Sequence, residues 1–493
     1  MRKRKKRGQT SPPAMSVLVT RGENRARKFY PFSCSLLLRM LCCFDISNIV
    51  FNFETKNIIM KKNVFETNNV FGVSNEEIYT YIEREKVDSL FLEGLTKNKH
   101  IIIYGSSKQG KTALTNKHLQ PQQYIRANCS SKTTAIDLYR SILRQLNVEY
   151  EESRIQTNSI GGDSRFEIKA KLKIPYLMDV EGGSSVGGNG TTVSEHQYKT
   201  VEYNLELAQD VSELLKSIGF NKRIIIENFH YLDDSVQRQL ATDLRVFEDY
   251  NILFIIIGIW RERNRLSQYN GDLQDRVIEI PVEPWEKADL LKIIEKGQRV
   301  LNVSFASIQE DLLHACFDSV GVFQELCKEV CIASSVFQTS PQLIEFTNEH
   351  LQLAIEKKLS DYSGRHIRSL EALAEQRVKS SSETPLYIPY YFVQVIFKQP
   401  FENIVRGIKR RILQEKIKEL HHRKDDVRSS DMGYFLTNLV ESQRKKNITP
   451  PIFDYDINTF SVKVIDSTFY FFLQNCNRDD ILDEFPTPVG LQD

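Results

Sequence analysis

Long uninterrupted apolar runs are scarce in this sequence. The patch over residues 32–50 is interrupted by Arg39 and Asp45 and never reaches the roughly 18 clean apolar residues of a membrane span. It also lies too far behind the basic residues 2–7 to read as a secretory signal. Both absences point away from a membrane and toward the cytoplasm. Cysteine is sparse and unpatterned: Cys34, Cys42, Cys43, Cys129, Cys316, Cys327, Cys331 and Cys476 form no paired framework. That excludes a disulfide-held scaffold and favours reduced thiols. Cys327 and Cys331, four apart on an expected helix with His314 and Cys316 upstream, allow a zinc site, but buried free thiols are the simpler reading. A dominant charge is missing too. The formal net charge is +2, and residues 1–30 hold ten Lys/Arg against the single acid Glu23, so the rest of the chain is net acidic. Overall charge therefore makes no case for nucleic acid.

What is present is a globular composition, 41% apolar and 26% charged, in a chain of 493 residues. At roughly 100–200 residues per domain that length predicts about three domains. Residues 1–59 are expected to be a disordered or non-native extension, with Met60 a sensible start; a nuclear address or nucleic-acid arm in the basic head is the alternative. Residues 60–284 alternate strand and helix. Ser74 with Glu77 forms a capping box in the lead-in. Short apolar strands over 100–104, 122–127, 223–226, 252–259 and 277–282 alternate with helices over 111–119, 134–146, 207–218 and 234–250, which predicts a parallel sheet covered on both faces. Residues 151–202 break the rhythm. There Phe166, Ile168, Ala170, Leu172 and Ile174 alternate with Glu167, Lys169, Lys171 and Lys173, and five glycines fall between 182 and 190. This reads as an inserted hairpin arm and flexible loop, its lysine face solvated rather than partner-binding.

Residues 285–378 carry helical periodicity only, from 286 to about 358, and predict a helical lid without strands. A polar linker over 379–385 leads into residues 379–493. There one helix carries Ile404, Ile408, Ile412 and Ile417, and a second carries Met432, Phe435, Leu436, Leu439 and Val440. A hairpin around Asn458 and a last helix capped by Asp466 or Ser467 follow, in the order of a winged helix.

The chemistry concentrates in Gly105-Ser106-Ser107-Lys108-Gln109-Gly110-Lys111-Thr112, a full G-x-x-x-x-G-K-[ST] between a strand and a helix. Glycines let successive N–H groups turn toward phosphates, and the helix N-terminus of Lys111, Thr112 and Ala113 adds positive potential. Lys111 reaches the outer phosphates and the Thr112 hydroxyl serves Mg²⁺. A second strand, Ile224-Ile225-Ile226, ends in Glu227, placed to hold Mg²⁺ through water as a Walker B acid. The next position, where a water-activating base is expected, is Asn228. An amide cannot take a proton, so slow hydrolysis is expected unless Glu227, Asp233 or another group compensates. Arg261, Arg263, Asn264 and Arg265 follow the third apolar strand and are equally readable as γ-phosphate sensors or surface residues. Arg276, before the last strand, is a candidate arginine finger or sensor. His230 is a sensor or, preferably, an ordinary hydrogen-bonded histidine.

This order of phosphate loop, Glu-tipped strand, apolar sensor strand, Arg before the final strand, helical lid and winged helix resembles the AAA+/STAND superfamily of P-loop ATPases, well over residues 70–360 and loosely over 400–485. The text Glu227-Asn228-Phe229-His230-Tyr231-Leu232 looks like a group of bacterial ATPases that otherwise read Glu-Asp there. Tyr81-Ile82-Glu83-Arg84 looks like the STAND lead-in, which implies that Arg84 lies near the nucleotide. The resemblance implies ATP and Mg²⁺ as cofactors and a switch whose lid and winged helix move with the nucleotide. The chain carries no recognisable effector domain or repeat sensor. A regulatory ATPase acting on a protein partner or on its own oligomer is the leading reading. A DNA-binding, initiator-like ATPase, using Lys409, Arg410, Arg411, Arg444, Lys445 and Lys446, is the alternative.

Overall fold

The computed structural model describes residues 64–73, 78–148, 150–158, 164–175, 198–376, 385–488 and 491. The expected extension over 1–59, the Ser74–Glu77 capping box, the glycine-rich loop and residues 379–384 of the linker lie outside the described residues, as do the side chains of Lys169, Lys171 and Lys173. All described residues belong to one compact unit, Asn63–Asp493.

The first part runs α1 (Thr67–Val70), α2 (Glu85–Thr96), β1 (His100–Gly105), α3 (Lys111–His118), β2 (Tyr124–Asn128) and α4 (Ala135–Gln145). An arm follows, β3 (Tyr150–Asn158), β4 (Ser164–Pro175) and β5 (Tyr198–Asn204). Then come α5 (Ala208–Ser217), β6 (Arg223–Glu227), α6 (Asp234–Asp249), β7 (Phe254–Ile259), α7 (Arg265–Tyr269) and β8 (Val277–Pro281). Five strands make one parallel sheet in the order β2-β6-β7-β1-β8, with Ile101 opposite Ile255 and Ile226 opposite Ile256. The three inner strands β1, β6 and β7 are largely apolar because both of their faces are buried, and their two-residue period sorts the isoleucines. Ile102, Ile226 and Ile256 pack with Leu138, Leu214 and Leu244 on one face. Ile101, Ile103, Ile225 and Ile257 pack with Phe91 and Leu114 on the other. This is the α/β P-loop NTPase sheet expected from the sequence. The arm is a three-stranded antiparallel meander, β3-β4-β5, rather than a single hairpin.

The helical region holds α8 (Lys287–Leu301), β9 (Val303–Ser304), α9 (Gln309–Cys316), α10 (Val320–Ala333), β10 (Ile344–Glu345) and α11 (Asn348–Ala374). Two differences from the sequence reading appear. The two-residue strands β9 and β10 pair in parallel, too short for a periodic signal. Helix α11 continues sixteen residues beyond Lys358, and its Leu370 and Leu373 enter the C-terminal core, where apolar cover sustains the helix.

The C-terminal part is α12 (Ile388–Lys398), α13 (Phe401–Arg406), β11 (Ile408–Lys409), α14 (Arg410–Leu420), α15 (Ser429–Thr437), α16 (Leu439–Lys445), β12 (Phe453–Asp456), β13 (Ser461–Val464), α17 (Ser467–Asn475) and α18 (Arg478–Glu484). The single helix expected through Ile404, Ile408, Ile412 and Ile417 is broken. Gly407 adopts φ 84, a left-handed turn that needs glycine, and Ile408 pairs with Val462 in a sheet ordered β11-β13-β12. The second expected helix is divided at Asn438 into α15 and α16. Asp466 caps α17 as expected, accepting from the Thr468 N–H.

Candidate functional site

The phosphate loop is the link between β1 and α3. Gly105 (φ 151) and Gly110 (φ 81) hold conformations that side chains disfavour, and Lys108 takes the same left-handed region at φ 58. These reversals curl the chain between β1 and α3 into the kind of loop whose backbone amides can serve an anion. Lys111 is buried, and its Nζ donates to the carbonyl oxygens of Gly105 (3.0 Å) and Ser106. Burial lowers its pKa to about 8, while Glu283 and Glu227 act in the opposite sense. Bound phosphates favour the charged amine. Nucleotide affinity is therefore expected to be flat below pH 8 and to fall above it, by at most about tenfold per pH unit, with binding at pH 9 drawing in close to one proton. Calorimetry in buffers of different ionisation heat measures that uptake; proton-neutral binding at pH 9 would contradict it.

Glu227 ends β6, two strands from β1. Its Oε1 accepts from Arg126 at 2.9 Å and its Oε2 from the Thr112 hydroxyl at 3.4 Å. Burial raises its pKa; Arg126, Thr112 and Lys111 oppose that. A hydroxyl and a carboxylate side by side at the start of α3 suit a hydrated divalent cation. Arg126, which also donates to Asn116 (2.8 Å), was not singled out in the sequence; a cation inside an otherwise apolar strand was the available signal. Asn228 has φ 60 and ψ 33, a left-handed conformation that asparagine tolerates better than most residues. That gives Asn228 a backbone reason to be there besides any chemical one. The preferred reading of His230 fails: both ring nitrogens are buried with no hydrogen-bond partner among the described residues. Its ring lies 4.1 Å from that of Tyr231, and burial, with Lys111, Arg265 and Arg444 nearby, lowers its pKa to about 3.

Against the loop is a cavity of 240 Å³ lined by Lys108–Ala113 and by Ile82, Ile293, Val320 and Trp285. Arg84 lines it, stacked 3.9 Å over the Trp285 ring and donating to the Val282 carbonyl at 2.7 Å. Burial lowers the Arg84 pKa. Gln109 also lines it, and its side-chain oxygen is buried with no hydrogen-bond partner among the described residues. Gly72 and Val73 tie this wall to α10: their amides donate to Gln324 (3.3 Å) and Glu325 (2.9 Å). At Gly321 a methyl group would lie 2.6 Å from the Lys108 carbonyl oxygen, so α10 rests directly on the loop.

Of the arginines after β7, Arg261 reaches the loop. Its Nε donates to Ser106 Oγ at 2.8 Å, it pairs with Glu283 at 2.7 Å, and it donates to the Tyr470 hydroxyl at 3.1 Å. Glu283 in turn accepts from the Ser106 amide. Arg265 pairs with Asp454 at 3.4 Å, and Asn264 opens α7 at φ 58. Arg276 pairs with Glu248 and Asp249 beside the start of β8, level with His100 at the start of β1. The strands are parallel, so Arg276 sits at the opposite end of the sheet from the loop and is not brought to this chain's own site. Cys316, Cys327 and Cys331 are buried thiols whose pKa values burial raises, and among the described residues no cluster of three metal-ligating side chains exists.

The family model described as "AAA domain" matches residues 95–266, the segment that carries both the loop and Glu227. No curated protein matches the chain significantly. Among solved structures, the Walker-type ATPase PABY2304 of Pyrococcus abyssi is 13% identical, with 80% of this chain and 96% of that one covered at a TM-score of 0.41. The Orc1 protein of Aeropyrum pernix, solved in complex with DNA, is 12% identical over 85% and 97% at a TM-score of 0.39. Cdc6p from Pyrobaculum aerophilum is 12% identical over 86% and 100% at 0.33. Residues 95–266 thus match an AAA domain and carry strands β1, β2, β6 and β7 of the P-loop NTPase sheet with its loop and the acid at the tip of β6.

Proposed function

We propose that this chain is an ATP-binding, slowly hydrolysing switch ATPase of the AAA+/STAND kind, which controls assembly or signalling with a protein partner. In this reading the loop amides and Lys111 hold the phosphates, Arg84 and the walls around Trp285 hold the base and ribose, and Thr112 and Glu227 hold Mg²⁺. The metal ion supplies charge neutralisation at the phosphates. Asn228 beside Glu227 cannot accept a proton, which limits turnover.

The observation that carries the switch is that the C-terminal part grips both nucleotide motifs. The Ser107 amide donates to the Ile465 carbonyl at 3.1 Å, and Arg444 of α16 donates to the Leu232 carbonyl just beyond Glu227. Residues read as a winged helix thus stand where nucleotide would be felt. The same contacts weigh against the DNA reading. Arg444 is committed to Leu232, Lys446 donates to the carbonyls of Ala372 (2.7 Å) and Leu373 (3.1 Å), and Arg410 donates to that of Ser429 (2.6 Å). Lys445 remains exposed, 3.4 Å from Glu441. Cations already spent on backbone carbonyls add little to a phosphate-binding surface. Size-exclusion chromatography with ADP, ATP and a non-hydrolysable analogue tests the proposal. Nucleotide-dependent assembly supports it, whereas a salt-sensitive shift on duplex DNA that needs Lys445 would favour an initiator-like role.

A further inference from the structure

His230 follows Glu227 by three residues and is only 4% exposed, yet neither of its ring nitrogens has a hydrogen-bond partner among the described residues. A buried polar group left without a partner costs stability and calls for an explanation; a ligand, a water or a reaction each supplies one. The local chain shows how the ring is held there. Asn228, in its left-handed turn, opens the short 3-10 helix Phe229–Tyr231. Phe229 and Leu232, on either side of the histidine, are anchored in the sheet core, Phe229 edge-on to Trp260. Two sets of neighbours then locate the ring. Lys111 of the loop acts on it, as do Arg265 and Arg444. Tyr231, whose ring lies 4.1 Å from that of His230, feels Asp466, which accepts from the Ser107 hydroxyl at 3.1 Å. The imidazole therefore stands on the β6 side of the loop, across from the stretch between Ser107 and Lys111, the side on which the outer phosphate of a triphosphate is reached by the loop lysine.

A neutral imidazole carries one N–H and one lone pair. A water and a phosphate oxygen together satisfy both: the water donates to the lone pair, and the phosphate oxygen accepts from the N–H. The residue beside Glu227 cannot do this work, because the Asn228 amide takes no proton. Burial, with Lys111, Arg265 and Arg444 acting in the same sense, lowers the His230 pKa to about 3, so the lone pair is free at neutral pH. A base that weak is also a slow one, which accords with slow hydrolysis.

We propose that His230 is the proton acceptor for the attacking water, the part that Asn228 cannot play. This rests on the nucleotide-binding reading above and adds a catalytic residue to it. In the step, the water oxygen forms a bond to the γ-phosphorus. The bond from that phosphorus to the β,γ-bridging oxygen breaks, and its electron pair stays on ADP. The water's proton moves to the lone pair of His230, and the imidazolium then returns it to the released phosphate. Negative charge on the phosphate oxygens stabilises the transient imidazolium, against the opposing fields of Lys111, Arg265 and Arg444.

The test uses the full chain as wild type, His230→Ala and His230→Gln, with ATP and Mg²⁺ in single-turnover hydrolysis and a non-hydrolysable ATP analogue in calorimetry. Hydrolysis is expected to fall about a hundredfold in both variants, within the usual contribution of a positioned proton acceptor. Affinity for the analogue is expected to stay within about threefold of wild type. Imidazole added to His230→Ala is expected to restore hydrolysis by about tenfold, because the free base enters the space that the ring leaves, and to do nothing for His230→Gln, whose side chain fills that space. A ring that served packing alone would not be replaced by a free base. Wild-type hydrolysis in both variants overturns the proposal and leaves the nucleotide reading intact, as does a loss in His230→Ala that imidazole fails to repair, or a wild type that binds the analogue and never hydrolyses ATP. Failure of all three proteins to bind the analogue overturns both. If His230→Ala does not fold, His230→Gln decides alone, by hydrolysis lost with affinity and melting temperature kept.

Discussion

Lys111→Met is expected to weaken binding of ATP with Mg²⁺ by about a hundredfold and to leave the fold intact. The ammonium of Lys111 is buried at the loop, and a charge-assisted hydrogen bond contributes about 1.5–3 kcal/mol. Losing one such bond at the upper end of that range, or two at the lower, corresponds to roughly two orders of magnitude in affinity. Methionine matches the length of the lysine stem, so no large cavity opens. Two carbonyls, of Gly105 and Ser106, lose their donor, but the desolvation that lowers the lysine pKa is relieved at the same time. The net change in stability is expected to stay within about 1 kcal/mol. Calorimetry gives the affinity and a thermal melt gives the fold. Retention of wild-type affinity by a folded Lys111→Met protein would remove the foundation of the functional reading.

Glu227→Gln is expected to lower ATP turnover by about a hundredfold or more while nucleotide affinity changes less than threefold, the pattern for a group that acts on the reacting water or its metal. The carboxylate stands at the C-terminal end of β6 between Arg126 and Thr112, and glutamine preserves an oxygen for either. Arg126 keeps its bond to Asn116, so it is not left stranded. The companion change is Asn228→Asp. Aspartate tolerates the left-handed backbone at φ 60, and it supplies the missing second acid. A several-fold rise in turnover is expected. If Glu227→Gln hydrolyses ATP as fast as wild type, the acid has no part in the chemistry. If Asn228→Asp is inert, the asparagine is there for its backbone conformation alone.

The sequence was most informative where structure depends on neighbours in the chain. The isoleucines of β1, β6 and β7 alternate between two helical layers because a strand turns successive side chains to opposite faces, and that period is visible in the text. The capped start of α17 was equally plain, since a cap spans only a few residues. Reading failed where a local pattern meets an incompatible residue or a distant partner. Isoleucines at helical spacing from 404 to 417 suggested one helix, but Gly407 turns the chain and β13 recruits Ile408. The pairing of β9 with β10 is too brief to leave a pattern. A hydrogen-bonded His230 is expected from the sequence, yet its ring nitrogens have no partner among the described residues.

By itself, the sequence determined the individual strands of the sheet, the loop with Lys111 and Thr112, and the acid at the tip of β6, because each is written within about ten residues and obeys short-range stereochemistry. Only the tertiary structure decided which charges meet. Arg126 reaches Glu227 across 101 positions, Arg261 reaches Ser106 across 155, and Asp466 reaches Ser107 across 359, while Arg276 is turned to the far end of the sheet. Side-chain partners at such separations are set by how helices and strands pack, and packing leaves no periodic trace in the residues that it brings together.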